Sequence, residues 1–236
     1  SNSEYVPGGV GAIRFSTDGE IVDAYGILNE PTIINCAGGI TPWGTWLSCE
    51  EHENGKVFEC DPLGQRSAVV RPMLGTFQHE AAAFDEAKGT VYLTEDKPDG
   101  CLYRFVAAND WPDLDTGHLE VACVVNRGGR QLVEWQALPD PDARDTATRY
   151  QVAAATPFAG GEGIAFHEGL IYFSTKRDNR VWAYDTQSTE LTVLYDVATS
   201  ANPILSGVDN ILITPAGDVL VAEDGGDMQI VALIPG

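Results

Sequence analysis

Short runs in which apolar and polar residues alternate dominate this chain, and they recur. Four times an apolar strand ends in a polar, mostly acidic cluster and runs on into a second strand: TWLSCEEHENGKVFECD from Thr45, VYLTEDKPDGCLYRF from Val91, IYFSTKRDNRVWAYD from Ile171 and VLVAEDGGDMQIVAL from Val219. These starts lie 46, 80 and 48 residues apart, and a unit of about 40–50 residues is what repeated four-stranded sheets produce. Another short apolar strand precedes each copy, in NCAGGITPWGTWL, HEAAAFDEAKGTVYL, GEGIAFHEGLIYF and VDNILITPAGDVLV. Turn residues separate the two strands (Pro42 with Gly44, Asp85 to Gly89, His167 to Gly169, Pro215 to Asp218), so each pair reads as an antiparallel hairpin. The polar cluster leads into a third strand, and alternation in LEVACVV (119–125) and LTVLYDV (191–197) supplies a fourth. Gly, Pro and turn clusters interrupt every window long enough for an amphipathic helix.

This pattern predicts an all-β fold, a β-propeller of four clear blades forming a single domain over 1–236. Segment 126–160, rich in Pro, Asp, Arg and Ala, reads as an insertion or a degenerate fifth blade and explains the longest interval. The opening strands GAIRFS (11–16) and GEIVDAYGIL (19–28) look like outer strands without inner ones, whereas the last copy has inner strands and then stops at Gly236. The expectation is that the N-terminal strands pair with the last blade and close the ring, removing open edges.

Composition is that of a globular chain, with 44% hydrophobic residues and 9% aromatics. No run of about 18 apolar residues marks a membrane span, and no charged segment followed by an apolar stretch marks a signal peptide. Ser1, Asn2 and Ser3 read as the remnant of a cleaved tag. Thirty-five acids against fourteen bases give a net charge of −21, which argues against nucleic acid and anionic membrane surfaces as partners. Either the acidic surface is simply solvated, or bound cations balance part of the excess. The five cysteines, at 36, 49, 60, 101 and 123, include no CxxC pair, which disfavours a zinc clip or redox dithiol. Cys60, Cys101 and Cys123 lie in apolar strands and read as core. The tryptophans at 43, 46 and 182 read as packing between blades.

Blade topology turns the acidic clusters into a location. An inner strand leaves one rim of the channel and the second strand returns to it, so strand-one starts meet strand-two ends. The starts carry Asn35 and Cys36, His79 and Glu80, Gly161 and Glu162, Asp209 and Asn210; the ends carry Cys49 to Glu51, Glu95 and Asp96, Thr175 and Lys176, Glu223 and Asp224. Carboxylates gathered at one mouth repel one another unless protonated or neutralised. Calcium suits carboxylates with an Asn carbonyl, and a thiolate from Cys36 or Cys49 brings in a softer metal such as iron or zinc. Singly, acids at strand ends also serve as turn formers and caps. His79 reads equally as a ligand, an acid–base group or a hydrogen-bonded structural histidine.

The strings NCAGGITPWGTWLSCEE (35–51), HEAAAFDEAKGTVYLTEDKPDGCLYRF (79–105), GEGIAFHEGLIYFSTKRDNRVWAYD (161–185) and GVDNILITPAGDVLVAEDGGDMQIV (207–231) resemble the PhoX-type alkaline phosphatase family. The resemblance implies a β-propeller with a calcium and iron cluster at the channel mouth that hydrolyses small phosphate esters, in proteins that are often secreted or periplasmic. Carried onto this sequence, it implies Cys36 as a thiolate iron ligand, with Glu50, Glu51, Glu80, Glu162, Asp209 and Asn210 at metal-binding or nearby positions. Glu95, Glu223 and Asp224 are further members of the set. Two departures stand out. The family's phosphate-holding arginine, two residues before the GEG glutamate, falls on Gly160 here, and the relatives are longer, with a closing motif after the GGDM region that this sequence lacks. Lys176, Arg177 and Arg180, with His79 at the mouth, remain to anchor an anionic substrate, and Lys176 with Glu162 to act in catalysis. The third copy carries Thr175 and Lys176 where the others carry acids or Cys49, which marks the entry for an anion. Segment 126–160 is expected to return to the same rim as a lid. Two readings compete with a phosphatase: a calcium-stabilised propeller that binds without turnover, and a calcium-dependent lactonase-like hydrolase.

Overall fold

A computed structural model describes residues 7–234 of the chain; Ser1 to Ser3 and Gly236 lie outside the described residues. Among them the regular structure is strand, apart from three single turns of 3-10 helix. β1 (Pro7–Phe15) and β2 (Ile21–Ile33) form an antiparallel hairpin. The first sheet unit follows, with β3 (Asn35–Ile40), β4 (Trp46–Glu50), β5 (Val57–Cys60) and the short β6 (Val69–Val70) paired in that order. The second contains β7 (His79–Asp85), β8 (Thr90–Glu95), β9 (Leu102–Ala107) and β10 (Gly117–Arg127), extended by β11 (Arg130–Ala137). The third has β12 (Gly161–His167), β13 (Leu170–Thr175), β14 (Arg180–Asp185) and β15 (Glu190–Asp196); the last has β16 (Val208–Ile213), β17 (Val219–Glu223) and β18 (Ile230–Leu233). The arrangement is all-β and propeller-like. Inner strand β3 lies beside β7, β7 beside β12 and β12 beside β16, and together they line a cavity of about 670 Å³.

Small residues permit that approach. A Cβ on Gly39 would stand 2.1 Å from the Ala82 carbonyl oxygen, and one on Gly163 2.4 Å from the amide nitrogen of Ile211. The runs AGG, AAA and GEG are therefore what lets four inner strands share one axis. Strand alternation sends successive residues to opposite neighbours. Val91 and Leu93 of β8 pack with Leu47, Cys49 and Val57 of the first unit, while Tyr92 between them packs with Ile171, Phe173 and Trp182 of the third. Val181 and Ala183 in turn meet Ile211, Val219 and Val221 of the last unit. Fully burying each large apolar side chain in these interfaces contributes roughly 1.5–3 kcal/mol. Cys60, Cys101 and Cys123 are buried as expected. Trp43 packs on Phe84 and Trp111, and Trp182 on Phe158 and Phe173.

The N-terminal strands do not do what their pattern predicts. Among the described residues β1 and β2 pair only with each other, and Val10, Ala12, Ile27 and Leu28 pack on Trp46, Phe58 and Cys60 of the first unit. They cover the first unit's free face instead of completing the last. Apolar alternation announces a strand with one buried face but not the sheet that buries it. Segment 126–160 forms no sheet of its own. It supplies β11, which pairs with β10 along its length and, through Gln131 and Leu132, with Leu191 and Glu190 of β15. The second and third units thereby join into one nine-stranded sheet. No helix among the described residues is long and apolar enough to cross a membrane.

Candidate metal centre

One local device, repeated in all four units, builds the mouth. β3 pairs Asn35 with Glu50, β7 pairs His79 with Glu95, β12 pairs Gly161 with Thr175, and β16 pairs Val208 with Glu223. Immediately afterwards each register shifts, resuming at Gly38, Ala82, Ile164 and Ile211. A bulge of this kind releases a residue from the ladder and re-aims it. Two residues fall within each shift, and the first of each pair is Cys36, Glu80, Glu162 or Asp209. On the returning strand, the residue just past the pair is tied down by its own amide. Glu51 donates to the Ile34 carbonyl at 2.8 Å, Asp96 to Gln78 at 3.1 Å, Lys176 to Gly160 at 2.8 Å and Asp224 to Gly207 at 2.8 Å. Two sets of four residues thus meet at one rim.

Their side chains converge in two groups. Ligand atoms of Cys36, Glu51 and Glu80 lie within 4.8 Å of one another, as do those of Glu80, Glu162 and Asp209, so Glu80 belongs to both. The Cys36 thiol donates to Glu80 Oε1 at 3.1 Å, and Gln78 Nε2 to Glu51 Oε1 at 3.0 Å. Lys176 Nζ lies 2.7 Å from Asp224 Oδ2, 3.3 Å from Asp209 Oδ2 and 3.6 Å from Glu162 Oε1. Glu162 Oε1 and Asp96 Oδ1 are buried without a hydrogen-bond partner.

The electrostatics record the crowding. Burial, then the carboxylates of Glu51, Asp209 and Asp96, push Glu80 up to about 7 although the Cys36 thiol bond opposes this. Burial, then Glu80, Asp209 and Asp96, push Glu162 up to about 9. Burial followed by the Asp96 charge also raises Glu51, and burial followed by Glu80 raises the Cys36 thiol. Lys176 runs the other way: against burial, Asp224, Glu162 and Asp209 hold its ammonium above the ordinary lysine range. An arrangement that raises acids and stabilises one cation is deficient in positive charge.

Several residues expected in this set lie elsewhere. Glu50 accepts from the amides of Ile33 at 2.8 Å and Lys56 at 2.9 Å, and Glu223 from those of Ser206 at 2.6 Å and Gln229 at 3.0 Å. Glu95 accepts from the Cys101 amide, the Tyr103 hydroxyl and Arg149. Each of the three holds the loop between the second and third strands through one amide, that of Lys56, Cys101 or Gln229, while Glu50 and Glu223 also hold the chain ahead of the inner strand through Ile33 and Ser206. Parity explains it: Glu95 lies on the face of Val91 and Leu93, Glu223 on that of Val219 and Val221. The following residue, Glu51, Asp96 or Asp224, is the one that reaches the mouth. His79 is fully buried, with its ring centroid 3.6 Å from that of Phe77 at a tilt of 31° and Nε2 against the Gly75 carbonyl, and burial lowers its pKa to about 3. It packs in the core against Phe77, away from the surface of the mouth. Arg180 is held by Asp196 at 2.9 Å and Asp178 at 3.0 Å. Asn210 and Arg177 are exposed.

Two residues outside the expected set matter. Asp96 was visible at the rim beside Glu95, and the repeated pairing of Glu50 with Glu51 was the signal that the second member counts. Arg149, from segment 126–160, bonds Glu95 Oε1 at 3.0 Å and Glu53 Oε1 at 2.8 Å with its side chain 9% exposed. That clamp ties segment 126–160 to the end of β8 and to the loop after β4; in the sequence it is only one arginine of an Arg-rich segment.

The donor set fits cations. A buried Glu162 oxygen without a hydrogen-bond partner, 3.6 Å from the Lys176 ammonium and grouped with two further carboxylates, is a geometry that a hard divalent ion satisfies, and Cys36 adds a sulfur to the adjoining group. Comparison with known proteins agrees in fold. The chain is similar to Pseudomonas fluorescens PhoX in complex with vanadate, a transition state analogue, with a TM-score of 0.69 and 17% identity over 93% of this chain. It spans 61% of that protein's length. It is also similar to a chain of the nidogen/laminin complex, with a TM-score of 0.58, 11% identity, and coverage of 94% of this chain and 69% of that one. No curated protein matches the sequence. The sequence itself matches the family described as alkaline phosphatase PhoX over residues 6–57 and 52–203. By that match the chain belongs to the PhoX alkaline phosphatase family.

Proposed function

We propose that this chain is a metal-dependent phosphomonoesterase whose site is the acidic mouth. The observation that carries the reading is the pair of cation-ready groups sharing Glu80 in a member of the PhoX family. Glu80, Glu162 and Asp209 offer an all-oxygen set suited to calcium, and Cys36, Glu51 and Glu80 a mixed set suited to iron. Metals held there would neutralise the phosphate and lower the pKa of a water that attacks it. Asp96 and Asp224 complete the negative surround. Arg177 is the best-placed anchor for the phosphate. Gly160 has a φ of +73°, a conformation costly for any other residue. A Cβ there would stand 3.0 Å from Arg177 Cγ and 3.1 Å from Asp96 Oδ1, so the Arg177 stem already fills the space beside the mouth. Lys176 adds a positive charge where the transition state gathers negative charge. The substrate class is a small phosphate ester, and a secreted or periplasmic location accompanies the reading.

Hydrolysis of p-nitrophenyl phosphate by chelated protein reconstituted with calcium and iron tests it, with Cys36→Ala and Glu162→Gln alongside. Activity is expected only in the reconstituted wild type, falling on the order of a hundredfold or more in either variant. No turnover in any reconstituted state retires the enzyme reading. A second reading, a calcium-stabilised module without turnover, is favoured by the engagement of Lys176 with three carboxylates. Calcium binding that raises Tm without hydrolysis would support it.

A further inference from the structure

Of the eight residues that the repeated bulge and return strand bring to the mouth, six are carboxylates, one is a thiol and one, Lys176, is a cation. Its position is equivalent to Glu51, Asp96 and Asp224 in the other units, each held by the same backbone bond to the residue before the inner strand. Its ammonium spans Glu162, Asp209 and Asp224 at 3.6, 3.3 and 2.7 Å. Two of those three carboxylates belong to the group Glu80, Glu162 and Asp209. A divalent ion bonded to both at about 2.3–2.6 Å would share its ligands with the ammonium, and two positive charges at such separation repel strongly in a partly buried site. The buried Glu162 Oε1, which has no hydrogen-bond partner, is the one ligand atom the ammonium neutralises only at a distance.

We propose that Lys176 is a tethered competitor for the cation at the Glu80, Glu162 and Asp209 group, so that calcium enters only by displacing its ammonium. The inference rests on the reading of the mouth as a metal site and adds that this chain carries its own counter-ion there. Because Lys176 is anchored through strand β13, its effective concentration at the group is high and does not fall on dilution. Displacement would also release the ammonium towards the rim, where an incoming phosphate meets it.

Isothermal titration of chelated protein with calcium tests the proposal, on wild type, Lys176→Met and Lys176→Arg. Lys176→Met is expected to bind calcium at least tenfold more tightly than wild type, or to gain one further ion. Lys176→Arg, which keeps the charge, is expected to stay within a fewfold of wild type. Without calcium, Lys176→Met should melt below wild type, and saturating calcium should raise its Tm by more than it raises that of wild type. Equal affinity and stoichiometry in wild type and Lys176→Met overturn the proposal, as does absence of calcium binding by both. Should Lys176→Met not fold, Lys176→Gln gives the same neutral comparison with a polar side chain. The test separates from the phosphatase reading. The calcium difference without hydrolysis of p-nitrophenyl phosphate leaves the competitor standing and removes the enzyme, and hydrolysis without the difference does the reverse.

Discussion

Glu59 and Glu223 show how single carboxylates hold the fold together. Glu59 accepts from Thr45 Oγ1 at 2.6 Å and Trp43 Nε1 at 2.7 Å, and pairs with Arg71. Burial opposes its charge, but those donors and Arg71 hold its carboxyl below the ordinary range. The unfolded chain therefore takes up a proton near the ordinary value of 4.5 while the folded chain does not. The contribution is complete above that pH and is lost as pH falls through the lower folded value. Urea midpoints measured downward from pH 6 are expected to fall more steeply for wild type than for Glu59→Gln; parallel slopes would count against this. Glu223 makes a different test. Glu223→Ala leaves two amides without their acceptor and is expected to cost about 1–3 kcal/mol, lowering Tm while leaving calcium stoichiometry unchanged. A lost ion would return Glu223 to the metal set.

At the scale of the element, the closeness of the inner strands is the constraint that matters. Gly39→Ala sets a methyl against the Ala82 carbonyl oxygen, which is backbone and cannot rotate away. The expected cost is about 1–3 kcal/mol from overpacking, with a further loss of calcium binding because β3 and β7 carry Cys36 and Glu80. Retained stability with retained binding would show that the strands can part. The hairpins themselves were plain in the sequence, since alternation and turn residues are local. The bulges were not: a register shift after Asn35, His79, Gly161 and Val208 leaves no mark on hydrophobic period. It nonetheless decides which of two adjacent residues faces the mouth. That is why Cys36, Glu80, Glu162 and Asp209 were legible as candidates, while Glu50, Glu95 and Glu223 were grouped with them although their oxygens close loops. The destination of β1 and β2 was equally hidden, because the partner of an apolar face is set by packing across long sequence separation.

For the molecule as a whole, a net charge of −21 disperses into self-repulsion that salt screens, whereas the mouth concentrates it where screening is weak. Raising sodium chloride is therefore expected to lift Tm gradually, and millimolar calcium to lift it further at equal ionic strength. Chelator alone should reverse only the second effect, and identical responses to the two salts would argue for a purely solvated acidic surface. The join made by β11 bears on a different property, colloidal behaviour in solution. Outer strands of separate sheets are templates on which other copies can add strands, yet β10 and β15 spend theirs on β11 within one chain. β6 is two residues long, too short to recruit a neighbour. Among the described residues the risk of edge-to-edge aggregation therefore falls on β18, a four-residue strand that opens with Ile230 at 75% exposure, and on the β1–β2 hairpin, which pairs with no other strand and exposes Ile13, Phe15, Ile21 and Val22.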